Sequence, residues 1–359
     1  MNENTFNIDE SSKVAQERDL EGAVFCFGEL MLRLSPELGG KWIHDQTITT
    51  HIGGAELNVA TALANWKVPV KYCTALPDNY LSKEICEELG RKSIDTSSIH
   101  FSGNRIGVYY LPKGAELKSA GVIYDRAYSS FGELKVGMIN WNDLLKDSSW
   151  FHFSAITPAL NENIAEVCSE ALEVASAKKM TISVDLNFRA KLWKYGKQPA
   201  DIMPGLVKYC NVIMGNLWAV ESLLGIGSSI KESEGKSKEE LVEAAGKSML
   251  QLHRQYPKAE AFAYTFRLDK EYFGVLQHGP EMAVSKTLEI KNVVDKAGSG
   301  DCFMGGLIYG LTNNHKADDI INFAASAAVG KLGEEGDSTK QTIEQVKQRM
   351  KLDSVTEDD

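Results

Sequence analysis

VVDKAGSGDCFMGGLIYGL, residues 293–311, is the stretch from which the fold and the chemistry are read. The β-prone run Ile290–Val294 leads into the small-residue turn Ala297-Gly298-Ser299-Gly300. A helix then begins, with Phe303, Leu307 and Leu311 at i, i+4 and i+8. Asp301 stands in its first turn. A helix N-terminus carries unpaired N–H groups and the positive end of the helix dipole, so it favours an anion. Glycines let backbone approach phosphate oxygens closely. A carboxylate beside such a site can take a proton from a hydroxyl while the N–H groups stabilise a transferring phosphoryl group. The bare G-x-G-D pattern also fits an ordinary Gly turn capped by Asp.

Outward from this stretch, the chain alternates strands and helices. Ala23–Met31 (AVFCFGELM) reads as a buried strand, and Gly53-Gly54 breaks the chain before the helix AELNVATALANWK. Later come SWFHFSAI, a helix over 162–178, MTISVDLN, NVIMGN and AFAYTF. Such alternation predicts βαβ units, hence a doubly wound, mostly parallel α/β sheet with helices on both faces. Two β-prone, aromatic pieces, near 33–53 and 100–131, predict a small separate β-sheet lid. The segment 228–240 reads as a surface loop entering a helix. Residues 1–20 and 351–359 read as a flexible polar tail and an acidic tail around one domain over 21–350.

Composition narrows the function. The chain has 359 residues and a net charge of −10. An acidic chain without a Lys/Arg block has no electrostatic footprint for nucleic acid or an anionic membrane. No apolar run approaches about 18 residues, so no membrane span is expected. Six scattered cysteines with no CxxC pair fit reduced thiols and a cytoplasmic location. The seven histidines show no paired metal spacing.

Two motifs together resemble the ribokinase-like (PfkB) carbohydrate kinases. Asp295–Asp301 (D-x-x-G-x-G-D) is similar to that family's C-terminal signature, and GGAELNVATAL, residues 53–63, to its N-terminal one. The resemblance covers residues 22–345 and implies a kinase using ATP and Mg2+. It implies Asp301 as base and Gly298, Ser299 and Gly300 as the phosphoryl cradle. Lys296, Ala297, Ser299 and Cys302 depart from the commonest form of the signature.

The sugar side is similar to 2-keto-3-deoxygluconate (KDG) kinases. The resemblance implies substrate contacts at Gly53, Gly54, Asn58, Tyr109, Tyr124, Arg126, Ile156, Asp185, Asn187 and Arg189. KDG is a sugar acid, and an Arg fork suits its carboxylate. The D-x-N-x-R run also occurs in fructokinases, so a neutral sugar stays open, as does a non-catalytic sensor on the same fold.

For the nucleotide, the resemblance implies Asn216, Thr265, Arg267, Gly274, Gly298, Gly300, Asn322 and Ala325. Ala219 stands where the family usually has Glu, which bears on Mg2+ binding. Ala324, Ala325 and Ala328 equally fit helix packing. A monovalent cation such as K+ is implied beside Asp295, Ala297, Ala328, Lys331, Gly333 and Asp337. Exposed lid edges imply a homo-oligomer paired through the lid.

Overall fold

The computed structural model describes residues 22–37, 42–44, 47–112 and 122–352. The expected N-terminal tail lies outside the described residues. So does the C-terminal tail, except that 351–352 belong to the helix Ile343–Leu352.

The large sheet is mixed and mostly parallel. Ala23–Phe27 lies between Val70–Cys73 and Ser148–Ser154, parallel to both. Ile94–Asp95 extends one side. On the other side Thr181–Asp185, Val212–Gly215 and Ala261–Arg267 follow in parallel. The sheet then turns antiparallel through Glu271–His278 and Glu281–Val284. Strand side chains alternate between two cores. Phe25, Phe27, Phe151 and Phe153 pack with the helix Glu162–Ala177 on one face. Val24, Cys26 and Met214 pack with the helices Ala55–Asn65, Ser299–Thr312 and Ala317–Leu332 on the other. This two-sided burial is why the strands read as continuous apolar runs.

The expected strand Ala23–Met31 is two strands in two sheets. Ala23–Phe27 ends where Gly28 meets Glu56: a Cβ there would overlap the Glu56 carboxylate. The chain bends through Gly28–Leu30, and Met31–Ser35 enters the smaller sheet. That sheet runs Thr49–Gly53, Met31–Ser35, Gly107–Tyr110, Ile123–Asp125. It is the lid expected from the two separate pieces.

The expected strand at 290–294 does not form. Pairing stops at Leu288–Glu289, and the N–H groups of Val294 and Asp295 bond the Leu332 carbonyl instead. The chain is thereby tied to a helix end rather than to the sheet, which delivers the turn to its place. The expected loop before a helix holds: Ser237 caps Lys238–Gln255 with a reciprocal box through Glu240.

Candidate active site

Gly298 caps the helix Ser299–Thr312 with φ 77°, in the left-handed region that only glycine adopts cheaply. A Cβ there would also overlap the Asp337 carbonyl oxygen. The turn therefore needs glycine twice over, for its dihedral and for its contact. Ser299 spends its hydroxyl on the Ala328 carbonyl, at 3.1 Å, so what it offers a ligand is backbone.

Asp301 is 7% exposed in the first turn of that helix. Asn58 Nδ2 donates to its Oδ2 at 2.7 Å, and Ser338 Oγ donates to Asn58 Oδ1 at 2.8 Å. Burial pushes the Asp301 carboxyl up to about 7, against the Asn58 hydrogen bond and the Arg189 charge that lower it. That value suits a base that must be ionised yet still hold a proton near neutrality. The second motif thus serves the first: Asn58 lies on the helix Ala55–Asn65 that follows the diglycine. Gly54 caps it with φ 145°, and a Cβ there would overlap the Glu29 carbonyl.

Two clefts meet at Asp301. The larger, about 530 Å³, is lined by Gly298, Ser299, Gly300, Asp185, Asn216, Thr265 and Arg267. Lys191 and Lys296 join its wall, so the Lys296 departure from the signature adds a cation there and Lys191 a second one. The smaller lies under the lid and is lined by Gly54, Asn58, Tyr109, Arg126 and Ile156. Tyr124, Asn187, Arg189, Gly298 and Asp301 line both. Gly53 sits behind the smaller cleft, its missing Cβ 3.0 Å from Asp337 Oδ1. Open α/β sheets bind ligands beyond strand carboxyl ends where strand order reverses. Here the reversal lies between Ala23–Phe27 and Ser148–Ser154, and Glu29 and Ile156 follow those two strands.

Residues 22–343 match the pfkB family of carbohydrate kinases. The chain belongs to that family. It is 26% identical over 321 residues to a 2-dehydro-3-deoxygalactonokinase of Haloferax volcanii, covering 89% of this chain and 94% of that one. A Bacillus subtilis 2-dehydro-3-deoxygluconokinase is 25% identical, covering 82% and 85%. The crystal structure of 2-dehydro-3-deoxygluconokinase from Thermotoga maritima superposes with a TM-score of 0.82 at 32% identity, covering 93% and 99%. This chain is therefore a carbohydrate kinase on a ribokinase-like fold.

Within this pfkB kinase, several expected ligand residues are engaged elsewhere. Arg126 is only 8% exposed in its side chain, and its Nε and Nη2 both donate to Glu29 Oε2, the first at 2.7 Å. Ser129 Oγ donates to the other Glu29 oxygen. Tyr109 donates its hydroxyl to Asp337. Asn216 caps Leu217–Leu224 by accepting the Ala219 N–H at 2.9 Å, so its carbonyl oxygen is taken while its side chain walls the large cleft.

Three residues expected at the nucleotide line neither cleft. Gly274 faces Phe303 and Ile321, where a Cβ would sit 2.9 and 2.8 Å from their side chains. Ala325 is fully buried in the core beneath the helix pair. Asn322 accepts the Lys286 N–H and donates to the Asp318 carbonyl. Helix packing, the plainer reading of the alanine stripe, is what the structure has: a Cβ at Gly306 would lie 2.7 Å from Ala324 Cα.

Around the residues expected beside a monovalent cation, several polar groups bond to one another. Asp295 and Asp337 pair with the Arg33 guanidinium, at 2.6 and 3.3 Å. Ala297 gives its N–H to Asp295, Ala328 gives its carbonyl to Ser299, and Gly333 bonds Gly330. Lys331 is fully buried, and its ammonium donates to the Glu334 carbonyl at 3.1 Å. Among the described residues no group of three His, Cys, Asp or Glu could hold a metal.

Glu29, Glu56 and Arg33 are the buried charges that motif reading passed over. Glu56 Oε1 accepts the Ser154 N–H at 2.8 Å and the Thr157 hydroxyl at 2.9 Å. Burial pushes its carboxyl up, against those bonds. The signal for Arg33 was present in Met31–Ser35: alternation in MLRLS puts Arg33 on one face with Met31 and Ser35, and that face is buried.

Proposed function

We propose that this kinase transfers the γ-phosphoryl group of ATP to the terminal hydroxyl of a 2-keto-3-deoxy sugar acid, giving KDG 6-phosphate from KDG. The observation that carries the reading is Asp301 at the junction of the two clefts, with Arg189 lining both. The similarity to kinases named for 2-dehydro-3-deoxy sugar acids supports it. ATP lies in the larger cleft against Lys191, Arg267 and Lys296, and the sugar lies under the lid. Asp301 accepts the hydroxyl proton as the alkoxide oxygen bonds to phosphorus and the bond to the β-phosphate oxygen breaks. The N–H groups of the Gly298–Gly300 turn stabilise the charge on the transferring group. Bound with the nucleotide, Mg2+ supplies further neutralisation. With few acids on the wall, Asp185 and Asn216 would hold it by way of water, which suits an ion that keeps several waters. Arg189 binds the sugar carboxylate, and the lid keeps water from competing.

One observation favours a second reading, a neutral-sugar kinase such as a fructokinase. Glu29 already neutralises Arg126, leaving Arg189 as the cation shared by both clefts. A coupled ADP-release assay with KDG, its galacto epimer, gluconate, fructose and ribose separates the two. Preference for either keto-acid epimer supports the proposal, and preference for fructose or ribose supports the second reading. The kinase acts in the cytoplasm, and two copies pair through an edge of the lid sheet. Light scattering that gives a monomer at assay concentration would remove the pairing.

A further inference from the structure

We propose that Arg33 is a built-in cation of the phosphate turn, standing where the resemblance implied a monovalent metal ion, so that this kinase needs no K+. Arg33 lies on the lid strand Met31–Ser35, beside His51 on one neighbouring strand and Tyr109 on the other. Its side chain is fully buried, and all its described bonds go to protein oxygens. Nη2 donates to Asp295 Oδ2 at 2.6 Å, Nη1 to Asp337 Oδ2 at 3.3 Å, and Nε to Ser35 Oγ at 2.7 Å.

The remaining carboxylate oxygens are taken as well. Asp295 Oδ1 accepts the Ala297 N–H, and its Oδ2 also accepts the Gly336 N–H. Asp337 Oδ1 accepts the Tyr109 hydroxyl. Every carboxylate oxygen of the pair therefore already accepts a protein donor. Arg33 is the cation bonded to both carboxylates, and the buried Lys331 nearby feels Asp295, Glu334 and Asp337 together. A buried charge persists only when paired and hydrogen-bonded, and Arg33 meets both conditions with Asp295 and Asp337.

The pairing reaches the chemistry through backbone. Asp295 lies three residues before Gly298, and the Asp337 carbonyl closes against Gly298 itself. Arg33 therefore acts as a positioning residue: it holds both segments that shape the turn, and it fastens them to the lid. A planar fork suits two carboxylates better than an ammonium does.

The test compares KCl with tetramethylammonium chloride at equal ionic strength. For the unaltered protein the expected result is the same melting temperature in both salts, since an ion that does not bind cannot stabilise. A saturable, K+-specific rise in melting temperature would overturn the proposal. The second arm rests on the kinase reading. Turnover should match in the two salts, and Arg33→Ala should lower kcat about 10- to 100-fold with little change in the sugar KM. Added guanidinium should restore part of that loss, and tetramethylammonium should not. Unchanged kcat in Arg33→Ala would overturn the positioning role. If that variant does not fold, the melting comparison on the unaltered chain still decides. Absent turnover on every sugar of that assay, with equal melting in both salts, would sink the sugar-acid reading and leave this inference standing.

Discussion

The lid and the walls of the clefts beside Asp301 spend their arginines differently. In the lid, Arg33 and Arg126 are buried and bonded to carboxylates of the protein, Asp295 and Asp337 for one and Glu29 for the other. Arg267 lines the wall of the larger cleft beside Lys191 and Lys296, and Arg189 lines both clefts. An arginine already matched by a buried carboxylate fixes shape, because breaking such a pair is costly. An arginine on a cleft wall borders the space that a charged ligand would enter. The motif similarity could not separate these roles, since it matches residue types and not their partners.

The largest effect expected from breaking this contrast is at the junction. Asp301→Asn should lower kcat on the order of 1,000-fold or more, with KM for both substrates near the unaltered values, as steady-state ADP release will read. Gly298→Ala should follow, with turnover lost about 100-fold, because the new Cβ meets the Asp337 carbonyl and the left-handed φ is strained. Arg189→Met should cost about 10- to 100-fold in kcat/KM for a sugar acid and far less for a neutral sugar. Arg126→Met should instead reduce turnover on acidic and neutral sugars alike, because it strands Glu29. Equal loss of acid preference in the two variants would erase the distinction between the clefts.

A smaller effect belongs to stability. The Asp301 carboxyl is raised from 3.8 to about 7 in the folded chain, so the folded state binds its proton more tightly than the unfolded state does. Ionisation then costs the fold stability as pH rises through that window. Asp301→Asn should melt several degrees higher than the unaltered chain near pH 8 and no higher below about pH 4. The smallest effect is expected at Asn322→Ala, whose side chain ties Lys286 to the helix Ala317–Leu332 outside both clefts. ATP KM there should change by less than about threefold.

Much of the fold was legible because two-sided burial writes itself as apolar runs, as in Ala23–Phe27 and Ser148–Ser154. The glycine turn and Asp301 were legible because their chemistry is local to seven residues, 295–301. The strand break after Phe27 was not, since Gly28 bends there to admit Glu56 from the helix that begins at Ala55. The partners of Arg126 and Arg33 were hidden for the same reason: Glu29 is 97 residues from Arg126, and Asp337 is 304 from Arg33. Ala325 and Gly274 carry motif positions, yet their small size serves helix and sheet packing.

In the proposed reaction Asp301, whose carboxyl burial raises to about 7, takes the hydroxyl proton. Its most direct test is the pH dependence of kcat/KM for KDG at saturating ATP and Mg2+, between about pH 5 and 9. The expected profile falls about tenfold per pH unit below about 7, the value that burial sets for this carboxyl, and is level above it. A profile that stays flat down to about pH 5 would contradict the account, because a protonated Asp301 cannot accept the proton.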